Sequence, residues 1–329
     1  RSTQAKTLFP YTTLFRSIVA GQPQRNKPRT NARGNRKTLR HNSFVFGRHE
    51  KDNMTISSWS HSKLGDFEKC KFLCWLKHDQ KIPEPERPLP PGKNEHANDR
   101  GTRIHTSCEL YINGTSNELA PEAEKYFGFQ IELLRSMYKD GLVSLEGEWA
   151  MNRNWEPCGW NGDWEELPPG TAHTGSARKL PERGREGDIV LVGKRVYLWV
   201  PAWLRLKLDA MVMHDERTAT VIDFKSGRKF GNEVKHAEQL QLYQLVTFLR
   251  YPKLETVFAE LWYLDQKEGE NLTSQKFMRS QGLRFKPRFH QRGDALTTCD
   301  TWPPNPSRFA CQWCQYGPWN GGQCQVGVR

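Results

Sequence analysis

The stretch LRLKLDAMVMHDERTATVIDFKSG, residues 204–227, constrains the fold of this chain more than any other. Leu204, Leu206 and Leu208 alternate with Arg205, Lys207 and Asp209. That period of two belongs to a half-buried strand. The polar run 214–218 interrupts the pattern as a hairpin connection does, and 219–224 resumes it with Val221, Ile222 and Phe224. Asp223 and Lys225 are two apart, so both leave their strand on the same side. If the two strands pair as a hairpin, Asp209 lies close to both.

Two carboxylates at close range repel, and a proton, a basic group or a metal must offset them. Carboxylate oxygens with open water positions suit Mg²⁺ or Mn²⁺. Such an ion activates water and stabilises charge on a phosphoryl group. Lys225 supplies a compact cation to place the water or neutralise that charge. A lone Asp-x-Lys is nevertheless common in ordinary hairpins, so its neighbours decide. Downstream, a helix predicted over 232–250 buries Leu240, Leu242, Leu245, Val246 and Leu249, and it carries Gln239 and Tyr243 one turn apart. Upstream, RGTRIHTSCELY places His105 on a predicted helix over 102–112, with Glu109 one turn later. On spacing alone His105 reads as a capping or core-edge group, and Glu109 is either its orienting partner or a solvated acid.

Taken in order, RGTRIHTSCELY, LKLDA, VIDFKSG and HAEQLQLYQL resemble the motifs of the PD-(D/E)XK nuclease superfamily. They are most similar to its RecB-like branch of phage exonucleases, break-repair nucleases and CRISPR-adaptation nucleases. The likeness spans 55–324. It implies an α/β fold with a restriction-endonuclease-like core: a central mixed β-sheet flanked by helices, with cysteine-bearing extensions at both ends. It also implies that His105, Asp209, Asp223 and the backbone carbonyl of Phe224 bind Mg²⁺ or Mn²⁺, and that Lys225 assists the attack. The resemblance further implies that Gln239 and Tyr243 border the site and help to hold the lysine or the DNA backbone. An acid preceding the aspartate motif is expected at Glu148, with Glu146 competing. The implied activity is metal-dependent DNA hydrolysis, as a phage-type exonuclease in replication, recombination or repair, on single-stranded or duplex ends. The alternative is an inactive nucleic-acid-binding module stabilised by a cysteine metal site. No motif identifies a helicase or recombinase partner.

Eight cysteines are too few for a disulfide scaffold. Cys311-x2-Cys314 has the knuckle spacing that lets two thiolates hold one metal centre, and Cys324 follows. Three cysteines leave a tetrahedral site or cubane one ligand short. Some RecB-like nucleases resemble this layout, with a [4Fe–4S] cluster held by one N-terminal and three C-terminal cysteines. SSWSHSKLGDFEKCKFLCWL resembles their opening helix, expected here over 63–77, with Cys70 as the fourth ligand and Cys74 as its alternative. The last spacing is wider than in cluster-bearing relatives, so zinc and no metal stay open. Cys108, Cys158 and Cys299 read as ordinary thiols.

Residues 7–17 look like a translated sequencing adapter, so 1–17 are set aside as an artefact. Residues 18–53 read as a disordered basic arm. A single nuclease domain is expected over 54–329, with an insertion loop at about 163–187 and a cysteine clasp at 309–324. The formal charge of +12 suits a polyanionic partner such as DNA. No apolar run is long enough to span a membrane, and reduced cysteines suit a cytoplasmic setting.

Overall fold

The computed structural model describes residues 56–227, 229–267 and 269–329. The chain divides into two units, 1–51 and 52–329, and every described residue belongs to the second. The expected artefact at 1–17 and basic arm at 18–53 lie outside the described residues.

Among the described residues, eight α-helices and ten strands follow in chain order. The helices are α1 (His61–Lys69), α2 (Lys71–Cys74), α3 (Ala97–Ile112), α4 (Pro121–Lys139), α5 (Glu233–Arg250), α6 (Arg279–Gly282), α7 (Lys286–Thr297) and α8 (Arg308–Cys311). The strands are β1 (Val143–Met151), β2 (Pro157–Cys158), β3 (Gly162–Leu167), β4 (Gly175–Ala177), β5 (Ile189–Val192), β6 (Arg195–Pro201), β7 (Leu204–Met213), β8 (Thr218–Lys225), β9 (Thr256–Tyr263) and β10 (Leu272–Met278).

Six strands form a mixed sheet in the order β10-β9-β8-β7-β1-β2. β7 and β8 pair antiparallel through the predicted hairpin, whereas β8 and β9 pair parallel. A parallel pair needs a crossover, and α5 supplies it. Its apolar residues Leu240, Leu242, Leu245 and Val246 pack with Leu64 and Phe67 of α1 and Phe289 of α7 on one side of the sheet. On the other side Ile104 and Cys108 of α3 pack with Phe127 and Ile131 of α4. The sheet is therefore the middle of three layers.

The inward side of β7 changes along its length. Leu204, Leu206 and Leu208 join the first core, but Ala210 and Val212 join the second. Asp209 falls at the changeover. Glu146, opposite it on β1, has φ +44°, a conformation costly for any residue but glycine.

The stretch 163–187 is not the flexible loop expected of an insertion. β3 and β4 lie in it and join β5 and β6 in a second, four-stranded sheet of order β3-β6-β5-β4. Its strands are short, and glycine, proline and arginine between them mask the alternation that marks a strand.

The expected helix over 63–77 is also broken. α1 ends at Lys69, Cys70 is extended with φ −163°, and α2 then begins. The break turns the Cys70 thiol towards the C-terminal segment, where it accepts from Asn305 N–H at 3.3 Å.

Candidate active site

The β7–β8 ladder runs out at Ala210 opposite Ile222. One step further along the register, Asp209 faces Asp223 where the strands part. The Phe224 N–H donates to Asp209 Oδ2 at 2.5 Å, so β8 itself fixes that carboxylate. Asp209 Oδ1 lies 3.0 Å from His105 Nδ1. An ionised carboxylate only accepts, so Nδ1 carries the proton and Nε2 is left for another partner. Asp209, not Glu109, is thus the group that orients the imidazole. Helix α3 approaches the end of β8 closely because residue 101 is glycine: a Cβ there would stand 2.9 Å from Ser226 Oγ.

Asp223 is 6% exposed. Its Oδ1 accepts from Gln239 Nε2 at 3.0 Å and from Tyr243 OH at 2.9 Å, while Gln239 Nε2 also reaches Tyr243 OH at 2.6 Å. Its Oδ2 is ion-paired with Lys225 and otherwise accepts no hydrogen bond. Gln239 and Tyr243 therefore grip the aspartate and not the lysine. Burial raises the Asp223 carboxyl above its usual range, against the pull of the Lys225 ammonium. Burial likewise raises the Tyr243 phenol well above its ordinary value, so it stays a donor.

Of the two early acids, the register sets Glu146 across from Asp209, while Glu148 faces Lys207 and pairs with it at 2.7 Å. Burial raises the Glu146 carboxyl, and the charges of Asp209 and Glu109 add to the effect. The alternating pattern left both acids open, because the sequence does not show where the strand's inward side changes.

His105, Asp209, Asp223, Lys225, Gln239 and Tyr243 line a cleft of about 1160 Å³. Several of its residues are given no role at the site by the sequence: His61 and Lys63 at the start of α1, Lys235 and His236 at the start of α5, and Trp160 and Arg205. Burial, with help from Lys235 for His61 and from Lys225 for His236, lowers both imidazoles to about 4, so they are neutral at neutral pH. His236 Nδ1 lies 2.7 Å from Tyr263 OH.

With side chains as they stand, no three His, Cys, Asp or Glu among the described residues are close enough to hold a metal. The donor chemistry nevertheless fits a hard divalent cation. Asp223 Oδ2 is a buried carboxylate oxygen with only an ammonium beside it, and the Asp209 carboxylate, one strand away, faces the same cleft.

Cys70, Cys311, Cys314 and Cys324 line a separate small cavity walled by Leu73, Leu76 and Tyr316. Burial raises the Cys314 and Cys324 thiols. Thiols are the donor type a thiophilic metal takes, but with side chains as they stand no three of these four are close enough to hold one. Cys74 takes no part: it sits in the main core, where burial raises its thiol to about 12.

The family profile of the PD-(D/E)XK nuclease superfamily matches residues 58–319. The chain belongs to the PD-(D/E)XK nuclease superfamily. Its mixed sheet flanked by helices is consistent with the restriction-endonuclease-like fold of that superfamily, whose activity is phosphodiester hydrolysis. No curated protein matches the chain. Among solved structures SSO0001 aligns at 12% identity over 86% of this chain and 91% of that one, with a TM-score of 0.31. No helix of the described residues is long and apolar enough to cross a membrane.

This PD-(D/E)XK site makes a testable statement about pH. Burial pushes the His105 imidazole down, but the Asp209 hydrogen bond and the two aspartate charges outweigh it and hold it above its ordinary value. A raised histidine stabilises the fold fully below its unfolded pKa, about 6.5, and loses that contribution as pH rises through the folded value. In EDTA, the melting-temperature difference between wild type and His105→Asn should be largest near pH 6 and shrink towards pH 9. A difference that grows with pH would contradict the pairing.

Proposed function

We propose that this protein is a metal-dependent DNA nuclease of the exonuclease type, acting on DNA ends in replication, recombination or repair, as phage members of the RecB-like branch do. The observation that carries the reading is the arrangement around Asp223. A buried carboxylate is gripped by Gln239 and Tyr243, paired with Lys225, and faced by Asp209 with His105 behind it. That order of groups follows the four motifs of the family.

Asp209, Asp223, His105 and the Phe224 carbonyl are the groups proposed to hold the ion. Magnesium or manganese bound there would supply a Lewis acid and an activated water. The chain does the rest. The Phe224 N–H and His105 fix Asp209, and Gln239 and Tyr243 fix Asp223, so both carboxylates are oriented before any ligand arrives. Lys225 is 24% exposed and faces the cleft, where its ammonium can meet the charge that builds on the phosphate. Glu109 and Glu146 add negative charge behind Asp209.

The thiols of Cys70, Cys311, Cys314 and Cys324 are proposed to hold a [4Fe–4S] cluster or Zn²⁺, pinning the two ends of the domain together. Tyr316 OH already donates to the Ile82 carbonyl at 2.7 Å across the same junction. Visible absorbance of anaerobically purified protein distinguishes the cluster from zinc, which elemental analysis detects directly.

Digestion of 5′- and 3′-labelled single and double strands tests the main reading. Cleavage is expected with Mg²⁺ or Mn²⁺, from one end, and none in EDTA. Full activity in EDTA would refute the metal-dependent mechanism. Internal cuts on circular single strands would refute the exonuclease assignment while leaving the nuclease.

A further inference from the structure

The outer part of the cleft holds a group of side chains that hydrolysis does not use. Of the twelve tryptophans, nine pack against another aromatic ring, leaving Trp160, Trp313 and Trp319 without a ring partner among the described residues. Of these three only Trp160 lines the active-site cleft. It is half-buried, with the Arg205 guanidinium 5.5 Å and the Lys207 ammonium 5.8 Å from its ring centroid. Both cations stand on β7 on the way to Asp209. Alternate residues of a strand are about 7 Å apart, a step close to that between phosphates of an extended polynucleotide strand.

The cations here outnumber their partners. Lys207 is taken by Glu148. Arg205 Nε is buried without an acceptor, and Lys63, which faces it from α1, donates only to the Ser58 carbonyl at 3.0 Å. Among the described residues neither has a carboxylate partner. Burial, followed by the repulsion of Arg205, lowers the Lys63 ammonium, and burial followed by Arg183 lowers the Arg205 guanidinium. An aromatic face beside two half-buried, unneutralised cations is complementary to a base with its phosphates.

We propose that Trp160, Arg205 and Lys63 form a nucleotide subsite for a single-stranded polynucleotide, the indole stacking on one base and the two cations holding the flanking phosphates. The strand then runs along the outward side of β7 towards Asp209. A duplex keeps its bases stacked on one another and offers none to the indole, so the subsite favours single strands or frayed ends. The direction of the strand towards hydrolysis rests on the nuclease reading; the subsite itself does not.

The test is binding without cleavage. Fluorescence anisotropy of labelled oligothymidylate is followed in EDTA for wild type, Trp160→Ala, Trp160→Phe, Arg205→Ala and Lys63→Ala. Trp160→Ala should weaken binding about 10-fold or more, and Trp160→Phe, which keeps an aromatic face, should recover most of it. On an oligomer of abasic residues wild type and Trp160→Ala should bind alike. Arg205→Ala and Lys63→Ala should each lower the slope of log affinity against log salt by about 0.7. Unchanged affinity in Trp160→Ala, an equal loss on the abasic oligomer, or an equal loss on duplex would each overturn the proposal. Because the titration contains no hydrolysis, a failure of the nuclease reading leaves its outcome legible.

Discussion

Asp223→Asn is expected to lower DNA hydrolysis by about 10³-fold or more while the protein stays folded. A metal bound through a carboxylate contributes several kcal/mol to the transition state, and each 1.36 kcal/mol is about tenfold in rate. The substitution keeps size and shape but changes what the two terminal atoms can do. Oδ1 accepts from Gln239 and Tyr243, and Oδ2 faces the Lys225 ammonium. An amide has only one acceptor atom, so its NH₂ must point either at two donors or at an ammonium. Either way the site loses a negative charge and gains a repulsive contact. Removing one partner of a fully buried ion pair costs about 3–5 kcal/mol. Lys225 keeps 24% exposure and can turn towards cleft water, so the loss of stability should be smaller than that. The measurement is single-turnover cleavage beside a thermal melt. More than a tenth of wild-type activity in a well-folded Asp223→Asn would remove Asp223 from the mechanism.

The tie between Asp223 and α5 also explains which parts of the site could be read from sequence. The hairpin, the i, i+4 pair Gln239 and Tyr243, and the helical His105 are local patterns, and local patterns survive in a linear text. The structure brings all of them to one place. What Gln239 and Tyr243 hold was not local: it depends on α5 crossing over β8 before entering β9, which sets the polar edge of the helix above Asp223 and not above Lys225. The choice between Glu146 and Glu148 was hidden for a related reason. It turns on the changeover of inward sides between Leu208 and Ala210, a distortion that the unusual φ of Glu146 accompanies on the facing strand. Strict alternation predicts no such point. Nor does it find the second sheet, whose strands are too short and too interrupted to show a period. Lys63, Arg205 and Trp160 escaped because a cation or an indole on its own announces nothing. Only their meeting across α1 and β7 does.

Trp59→Ala carries the largest effect expected on stability, and it follows from the same junction of α1 and β7. Trp59 is completely buried. Its indole meets Trp203 edge-on at 5.4 Å and Trp155 at 6.3 Å, and stacks on Phe289 at 6.4 Å. Its backbone extends the sheet for one residue: its N–H donates to Trp203 O at 2.8 Å and its carbonyl accepts from Arg205 N–H at 2.9 Å. Helix α1 starts two residues later, so this tryptophan seats the cleft wall carrying His61 and Lys63 against β7. Truncating a buried tryptophan to alanine costs about 3–5 kcal/mol, because the cavity adds to the lost transfer energy. For a domain of this size that is a fall of about 10 °C in Tm. The packing leaves no room to refill: a Cβ on Gly293 of α7 would stand 2.5 Å from Trp59 Nε1. Trp59→Phe should cost distinctly less. It keeps a ring against Phe289, and it removes an indole N–H that is buried without an acceptor, which offsets part of the lost packing. Thermal melts of the two variants decide the matter. If Trp59→Ala lowers Tm by less than about 3 °C, the junction is not a keystone of the fold. If Trp59→Phe is as damaging as the alanine, shape and not buried area sets the cost, and the unsatisfied N–H has a partner in solution.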